Sequence, residues 1–318
     1  MGAVVIEGPR RAARHWVPTP EWGEDEVLIR VEGCGVCGSN LPAWEGRPWL
    51  RYPLPPGNPG HEGWGVVVRA GKQVTSVALG DRVSFLSDRA FADYATASPA
   101  ALCVLPASLA KSPFPGDALG CIMNIFRRSQ IRAGQKVAVV GAGFIGAGLV
   151  ALASRVGAHV AAVSRRPWAL DLASRLGAKE TFVMGDDDFA TVRALMDFSG
   201  GEGFHQAIEA VGAQRTLNLA SQLVATQGRL VIAGQHQDGL RQVDLQSWNT
   251  RGIDVINAHE RNPGHRVAGM RAAADAVCSG ALDLTESITH RFELADVASA
   301  FTMLEQRPEG FLKAVLSP

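Results

Sequence analysis

The chain has 318 residues, of which 47% are hydrophobic and 19% charged, and its formal net charge is zero. A chain of this length is too long for one ordinary hydrophobic core and predicts two domains. The share of apolar residues is typical of a globular protein. The balanced charge provides no field that would attract the chain to nucleic acid or to a membrane surface, so neither is expected as a partner.

The first part of the chain, to about residue 118, is predicted to be an all-β unit. Short β-type runs, such as residues 26–31 and 63–68, alternate with Pro and Gly residues. The segment Gly80 to Val83 indicates a turn that enters a further strand. Prolines between residues 53 and 59 predict a long irregular loop before His61.

The pattern changes near Asp117, where a helical pattern over residues 118–131 begins. Strand-like and helical runs then alternate, which predicts a parallel sheet covered by helices. The predicted strands are 136–140, 160–163, 181–183, 206–208, 229–233 and 253–257, and the predicted helices are 145–156, 168–176 and 264–278. The predicted domain ranges are 1–118, 119–260 and a mixed C-terminal segment, 261–318.

A GxGxxG turn joins the first strand of the α/β unit to its first helix. Gly141 permits the tight turn, Gly143 lets backbone approach a pyrophosphate, and Gly146 lets strand and helix pack closely. Phe144 and Ile145 open the helix, whose N-terminus attracts phosphate. A glycine turn without a ligand is the alternative, but the strand, turn, helix and second strand together favour a dinucleotide site.

The end of the second predicted strand distinguishes the two common dinucleotides. An NAD site needs a carboxylate there for the ribose 2′-hydroxyl, whereas this strand ends in Ser164, Arg165 and Arg166. Arginine pairs well with phosphate, so the sequence favours NADP(H) over NAD(H). The alternative is that one or both arginines are solvated surface charges.

Three dispersed residues, Cys37, His61 and Asp117, offer a metal three ligands and an open fourth position. Cys37 also forms a CxxC pair with Cys34, which allows a redox pair or half of a four-cysteine zinc site. No second CxxC exists, and residues 38–42 are a poor start for the helix that a redox motif opens. Taken alone, His61 is more typical of a structural histidine and Asp117 of a helix N-cap. A dinucleotide site with an open metal site predicts metal-assisted hydride transfer between an alcohol and a carbonyl.

The cysteine count and the absence of long apolar runs bear on location. Five cysteines, an odd number, argue against a disulfide framework and predict a reducing cytoplasmic location. Residues 1–20 lack the apolar run of a signal peptide. No stretch approaches the ~20 uninterrupted apolar residues of a membrane span.

In these motifs and their order the chain resembles the medium-chain, zinc-dependent alcohol and polyol dehydrogenases over essentially its whole length. The segments that carry the resemblance are Cys37 to Ser39, Gly60 to Glu62, Gly80 to Val83, Gly141 to Gly146 and the tail near Lys313. The resemblance implies an α/β protein with a GroES-like β-barrel catalytic domain and an inserted Rossmann domain. Residues 261–318 would then return to the catalytic domain.

The resemblance also implies site roles. Cys37 and His61 would be zinc ligands, and Asp117 aligns with the family's third ligand, with Cys121 one helical turn further as its rival. Glu62 would lie near the metal as a transient ligand. Ser39 would pass the proton of the substrate hydroxyl outward.

Three departures from the family pattern limit these expectations. The four-cysteine lobe of a structural zinc is absent, so one zinc per chain is expected. Asn40 replaces the usual Asp, which is expected to weaken a supporting contact. Leu41 and Pro42 replace a histidine often found there, so the proton relay would use Ser39, a cofactor ribose hydroxyl or water.

The sequence thus predicts a zinc-dependent oxidoreductase that transfers a hydride between NADP(H) and a small alcohol or ketone. The resemblance implies a homodimer or homotetramer. Three alternatives stay open: an NAD-dependent polyol dehydrogenase, a zinc-retaining reductase of activated double bonds, and a non-catalytic protein that binds the cofactor.

Overall fold

The computed structural model describes all 318 residues. Their contacts divide the chain into two compact units. Unit 1 comprises residues 1–123, 261–280 and 285–318, and unit 2 comprises residues 124–260 and 281–284. The first boundary between the units, after Met123, falls inside the helix Gly116–Ser129. The sequence therefore has no loop at this boundary.

The order of elements follows the predicted change from β to alternating α/β. The strands are β1 (Gly2–Gly8), β2 (Arg11–Trp16), β3 (Val27–Val36), β4 (Glu62–Ala70), β5 (Arg82–Phe85), β6 (Tyr94–Ala97), β7 (Leu102–Val104), β8 (Lys136–Val140), β9 (His159–Ser164), β10 (Glu180–Val183), β11 (Phe204–Glu209), β12 (Val224–Ile232), β13 (Asp254–Asn257), β14 (Ile288–Glu293) and β15 (Lys313–Ser317). The helices are α1 (Leu41–Glu45), α2 (Gly116–Ser129), α3 (Phe144–Arg155), α4 (Pro167–Arg175), α5 (Asp188–Ser199), α6 (Gln214–Leu223), α7 (Leu245–Arg251), α8 (Pro263–Cys278) and α9 (Val297–Gln306). None of these helices has the length and apolarity needed to cross a membrane.

Unit 1 is built on a seven-stranded sheet in the order β14-β15-β3-β4-β5-β7, with β6 also paired to β3. All pairs are antiparallel except β14 with β15. The long strand β3 is at its centre, and its small residues make room for the side chains of β4. A Cβ atom on Gly33 would lie 2.3 Å from the Trp64 ring, and one on Gly35 would lie 1.8 Å from Oε2 of Glu62.

Unit 2 is a six-stranded parallel sheet in the order β10-β9-β8-β11-β12-β13. The runs Val137 to Val140 and Val160 to Val163 are fully buried, as expected of central parallel strands that helices cover on both faces. The strand order reverses between β8 and β11, and open parallel sheets bind ligands beyond the carboxyl ends of strands at such a point.

The segment after Cys37 differs from the prediction. A 3-10 turn over Gly38–Asn40 continues into helix α1, although the sequence favoured no helix there. Pro42 is compatible with α1 because it lies in the first turn, where a backbone N–H has no intrahelical partner. Gly46, with φ of +83°, ends the helix in the left-handed conformation.

Candidate metal and dinucleotide sites

One group of metal-capable side chains lies where β3 ends and β4 begins. Ligand atoms of Cys37, His61 and Glu62 all lie within 4.8 Å of one another. The pairing of β3 with β4 sets Gly35 opposite Glu62 and thereby brings the two ligand segments together. This separation is close to the span across a single zinc ion bonded at about 2.0 to 2.3 Å.

The ring of His61 is oriented by a backbone carbonyl. Its Nδ1 atom lies 2.9 Å from the carbonyl oxygen of Pro59, which only accepts, so Nδ1 carries the proton. The Nε2 atom lies 3.2 Å from Oγ of Ser39. Metal-binding histidines commonly have one nitrogen held in this way, so Nε2 is the atom that His61 can offer to a metal.

Asn40 connects the two ligand segments. Its side chain is fully buried, its Oδ1 accepts from the backbone N–H of Cys37 at 2.8 Å, and its Nδ2 donates to the carbonyl of Pro59 at 3.0 Å. The sequence predicts that Asn40, in place of the family's usual Asp, weakens a supporting contact, and this stays a prediction. The contacts of Asn40 use its amide as donor and acceptor at once, which an ionised carboxylate cannot do.

Charges at the cluster favour a thiolate at Cys37. Burial raises the pKa of its thiol, and the charge of Glu62 adds to this. The hydrogen bond to His61 and the positive charges of Lys313 and His61 outweigh both, so the pKa of Cys37 lies below its usual value. For His61, burial lowers the pKa, but the hydrogen bond and charge of Cys37, with Glu62 and Asp117, raise it to about 10. An anionic sulfur is the form that binds a metal.

Glu62 forms a buried ion pair with Lys313 on β15. Both residues are at most 4% exposed, and Nζ of Lys313 lies 2.7 Å from Oε1 and 2.5 Å from Oε2 of Glu62. Burial lowers the pKa of Lys313, but the charges of Glu62 and Cys37 prevail and raise it above its usual value. The sequence left the role of Lys313 open, and the pairing of β15 with β3 brings it to the site.

The two third ligands considered from the sequence lie outside this group. Asp117, in the first turn of α2, accepts from Nη2 and Nε of Arg266 at 3.0 and 3.3 Å. Burial and then the charge of Asp117 raise the pKa of the Cys121 thiol.

The other cysteine of the CxxC pair, Cys34, is also outside the group, and burial raises the pKa of its thiol well above its usual value. The thiols of Cys121 and Cys34 are therefore protonated in the metal-free protein, and a protonated sulfur is a poor metal ligand.

The glycine turn after β8 has the geometry predicted for it. Gly141 has φ of +109°, and a Cβ atom on Gly146 would lie 1.8 Å from the carbonyl oxygen of Gly141. Gly143 precedes α3 with φ of −79°, and no atom lies within 4 Å of the position of its missing Cβ. Phe144 and Ile145 then open α3. The open side of Gly143 is where the motif expects phosphate.

Two alanine substitutions separate folding from cofactor binding at this turn. Gly143→Ala is expected to leave the free energy of unfolding nearly unchanged, because its backbone suits any residue and the space is open. It should weaken NADPH binding at least about tenfold, because the methyl group occupies the phosphate approach. Gly146→Ala should destabilise the fold by about 1 to 3 kcal/mol through the clash with Gly141. Urea unfolding and NADPH fluorescence titration measure both effects; wild-type affinity in Gly143→Ala would contradict the assignment.

The residues at the end of β9 differ in exposure. Oγ of Ser164 accepts from the backbone N–H of Arg166 at 3.2 Å. The guanidinium of Arg166 stacks over the ring of Trp168 at 4.8 Å, while Arg165 is exposed. Residues 164–168 include no Asp or Glu, so this segment suits a phosphate better than a hydroxyl.

Comparisons with known proteins agree with this division of the chain. The alcohol dehydrogenase GroES-like domain family matches residues 23–111, and the zinc-binding dehydrogenase family matches residues 145–275. The chain is 25% identical to D-arabitol-phosphate dehydrogenase of Enterococcus avium, over 92% of this chain and 93% of that protein. It is 30% identical to an alcohol dehydrogenase of Rhizobium meliloti, over 73% and 76%. A solved structure described as a zinc-binding dehydrogenase from Sinorhizobium meliloti, bound to NADP, superposes with a TM-score of 0.86 at 26% identity, covering 100% and 99% of the two chains.

Proposed function

Because the chain belongs to the zinc-binding dehydrogenase family, whose GroES-like and Rossmann parts it contains, we propose that it transfers a hydride between NADP(H) and an alcohol or ketone with the help of one zinc ion. The family membership and the α/β fold predicted from the sequence are confirmed. The grouping of Cys37, His61 and Glu62 carries the proposal.

The donor set of this group suits zinc. A thiolate, an imidazole nitrogen and a carboxylate oxygen are zinc's usual protein ligands, and three of them leave a position for substrate. We assign the third ligand to Glu62 rather than Asp117, because a carboxylate oxygen of Glu62 lies in the group with the ligand atoms of Cys37 and His61. Each of the two carboxylates has a cationic partner, Lys313 for Glu62 and Arg266 for Asp117. With no second cysteine cluster in the sequence, we propose one zinc per chain.

The chain's own residues would orient the ligands and move the proton. Zinc, when bound, supplies a Lewis acid that lowers the pKa of a substrate hydroxyl. Ser39, whose Oγ lies beside Nε2 of His61, is placed to receive the hydroxyl proton and pass it to solvent. Asn40 and the carbonyl of Pro59 hold the backbone of Cys37 and the ring of His61. In the reverse direction Ser39 would return the proton.

The cofactor assignment to NADP(H) rests on the residues after β9. Arg165 and Arg166 supply guanidiniums where an NAD site has a carboxylate, and the NADP-bound relative shares the fold. The five free cysteines support a cytoplasmic location. The family resemblance supports a homodimer or homotetramer that acts on a small-molecule substrate.

Arg165→Ala tests the preference for NADP(H). Removing this exposed guanidinium should weaken NADPH binding about 10- to 100-fold, the range for one or two hydrogen bonds to a charged group. NADH, which lacks the 2′-phosphate, should bind almost as before. Fluorescence titration of both cofactors gives the comparison, with Arg175→Ala on α4 as the matched surface control. Equal losses of affinity for NADPH and NADH would show that Arg165 does not bind the 2′-phosphate.

Metal analysis and cofactor titration of the purified protein test the function as a whole. We expect about one zinc per chain, tighter binding of NADPH than NADH, and turnover on a panel of alcohols, polyols and ketones. Cofactor binding without zinc would place the protein among metal-free reductases. Zinc and cofactor without turnover on that panel, but with reduction of an activated double bond, would select the reductase alternative.

A further inference from the structure

The dinucleotide site of unit 2 has a second half that the glycine motif does not describe. A Rossmann sheet binds one mononucleotide on each side of its switch point. The arginines after β9 lie where the adenosine half of the dinucleotide would bind. The nicotinamide half would then bind on the other side of the switch point, at the ends of β11 and β12. The loop after β11 abuts the glycine turn, because the N–H of Ala210 donates to the carbonyl of Val140 at 2.8 Å.

Glu209, the last residue of β11, holds this loop from within. Its side chain is fully buried. Oε1 accepts from the backbone N–H groups of Val211 and Gly212 at 2.9 and 2.8 Å and from Oγ1 of Thr216 at 2.7 Å. A buried carboxylate needs such donors, and its other oxygen, Oε2, is available to a partner from the loop after β12.

That partner is His236, and its contacts assign a hydrogen-bond role to each ring nitrogen. Nε of Arg241 donates to Nδ1 of His236 at 2.8 Å. Arginine cannot accept a hydrogen bond, so Nδ1 is unprotonated. Nε2 lies 3.2 Å from Oε2 of Glu209 and donates to it. Both ring nitrogens of His236 are thus engaged, one by the guanidinium of Arg241 and one by the buried carboxylate of Glu209.

The two loops also meet through backbone. Gly212 has φ of +92°, and a Cβ atom there would lie 2.3 Å from the carbonyl oxygen of Gln235. A Cβ atom on Gly234 would lie 2.3 Å from the nitrogen of Gly212. Nη2 of Arg241 donates to the carbonyl of Gly212 at 3.2 Å. The loops over residues 210–213 and 233–241 are therefore joined by side chains and by close backbone contact.

We propose that His236 is a positioning residue for the nicotinamide half of NADP(H). Its hydrogen bonds to Glu209 and Arg241 hold the loop 233–241 against the loop 210–213, and these loops form the edge of the sheet where that half binds. This inference rests on the proposed function. Loss of the His236 contacts should affect only the nicotinamide half of the dinucleotide, whereas a general effect on folding would weaken binding of both halves.

Two substitutions at His236 test the proposal with binding alone. His236→Ala removes both hydrogen bonds, whereas His236→Gln keeps an N–H for Glu209 and an oxygen for Arg241. For His236→Ala we expect NADPH to bind about tenfold more weakly, the size of one or two lost hydrogen bonds. Adenosine 2′,5′-bisphosphate, which has only the adenosine half, should bind within about twofold of wild type. His236→Gln should recover most of the NADPH affinity.

The binding results separate the role of His236 from the proposed function. Equal weakening of NADPH and the bisphosphate, or unchanged binding of both, would overturn the role of His236. If His236→Ala fails to fold, Arg241→Met, which removes the donors to Nδ1 of His236 and to the carbonyl of Gly212, is measured with the same two probes and should show the same split. If wild type prefers NADH, the probes become NADH and adenosine 5′-monophosphate. Failure of wild type to bind any dinucleotide would refute the proposed function itself, and this inference with it.

Discussion

Replacing Cys37 with alanine is expected to remove zinc from the protein and to reduce turnover by roughly a thousandfold or more, because the loss of a Lewis acid removes several kcal/mol of transition-state stabilisation. Although burial raises it, the pKa of Cys37 lies below its usual value, through the hydrogen bond to His61 and the charges of Lys313 and His61, which favours the thiolate form that binds a metal. His61→Ala should have the same effect. Metal analysis with steady-state kinetics measures both, and NADPH titration should show unchanged cofactor affinity.

Cys34 supplies the matched control for this experiment. It belongs to the same CxxC pair, yet it is buried in β3 and burial keeps its thiol protonated. Cys34→Ala should therefore keep about one zinc per chain. Glu62→Gln and Asp117→Asn then separate the two candidate third ligands, since only the former should lower zinc content. Full activity in zinc-free Cys37→Ala would refute the metal mechanism.

The second large effect is expected at Lys313. Lys313→Met should lower the free energy of unfolding by about 3 to 5 kcal/mol at neutral pH, because it leaves the buried carboxylate of Glu62 without its cation. The measurement is urea unfolding of metal-free protein, so that any change in zinc affinity does not contribute. Lys313→Arg, which keeps the charge, should lose much less.

A double substitution checks that the effect comes from the pair. Combining Lys313→Met with Glu62→Gln removes both charges and should recover a large part of the lost stability, since two neutral groups need no ionic partner. Equal stability of wild type and Lys313→Met would show that the ion pair between Glu62 and Lys313 does not stabilise the folded protein. A double variant as unstable as the single one would point to packing of the lysine stem instead.

Much of the nucleotide unit was predictable because its signals are local. The buried runs of β8 and β9, the helix α3 between them and the positive φ of Gly141 depend on neighbours close in sequence. The sequence prediction was wrong for residues 38–45, where no helix was expected and the structure has a 3-10 turn followed by α1. Its signal was ambiguous, because Pro42 disfavours a helix interior and is well tolerated in a first turn.

The sequence by itself determined the α/β class, the glycine turn and the segments that carry Cys37 and His61, because periodicity, glycine conformation and short motifs act over a few residues. Only the tertiary structure decided which cation meets which carboxylate. Lys313 pairs with Glu62 across 251 positions, and Arg266 pairs with Asp117 across 149. Such pairs follow from strand register and helix placement, which no local pattern encodes. The same register of β3 and β4 brings Cys37 close to His61 and Glu62.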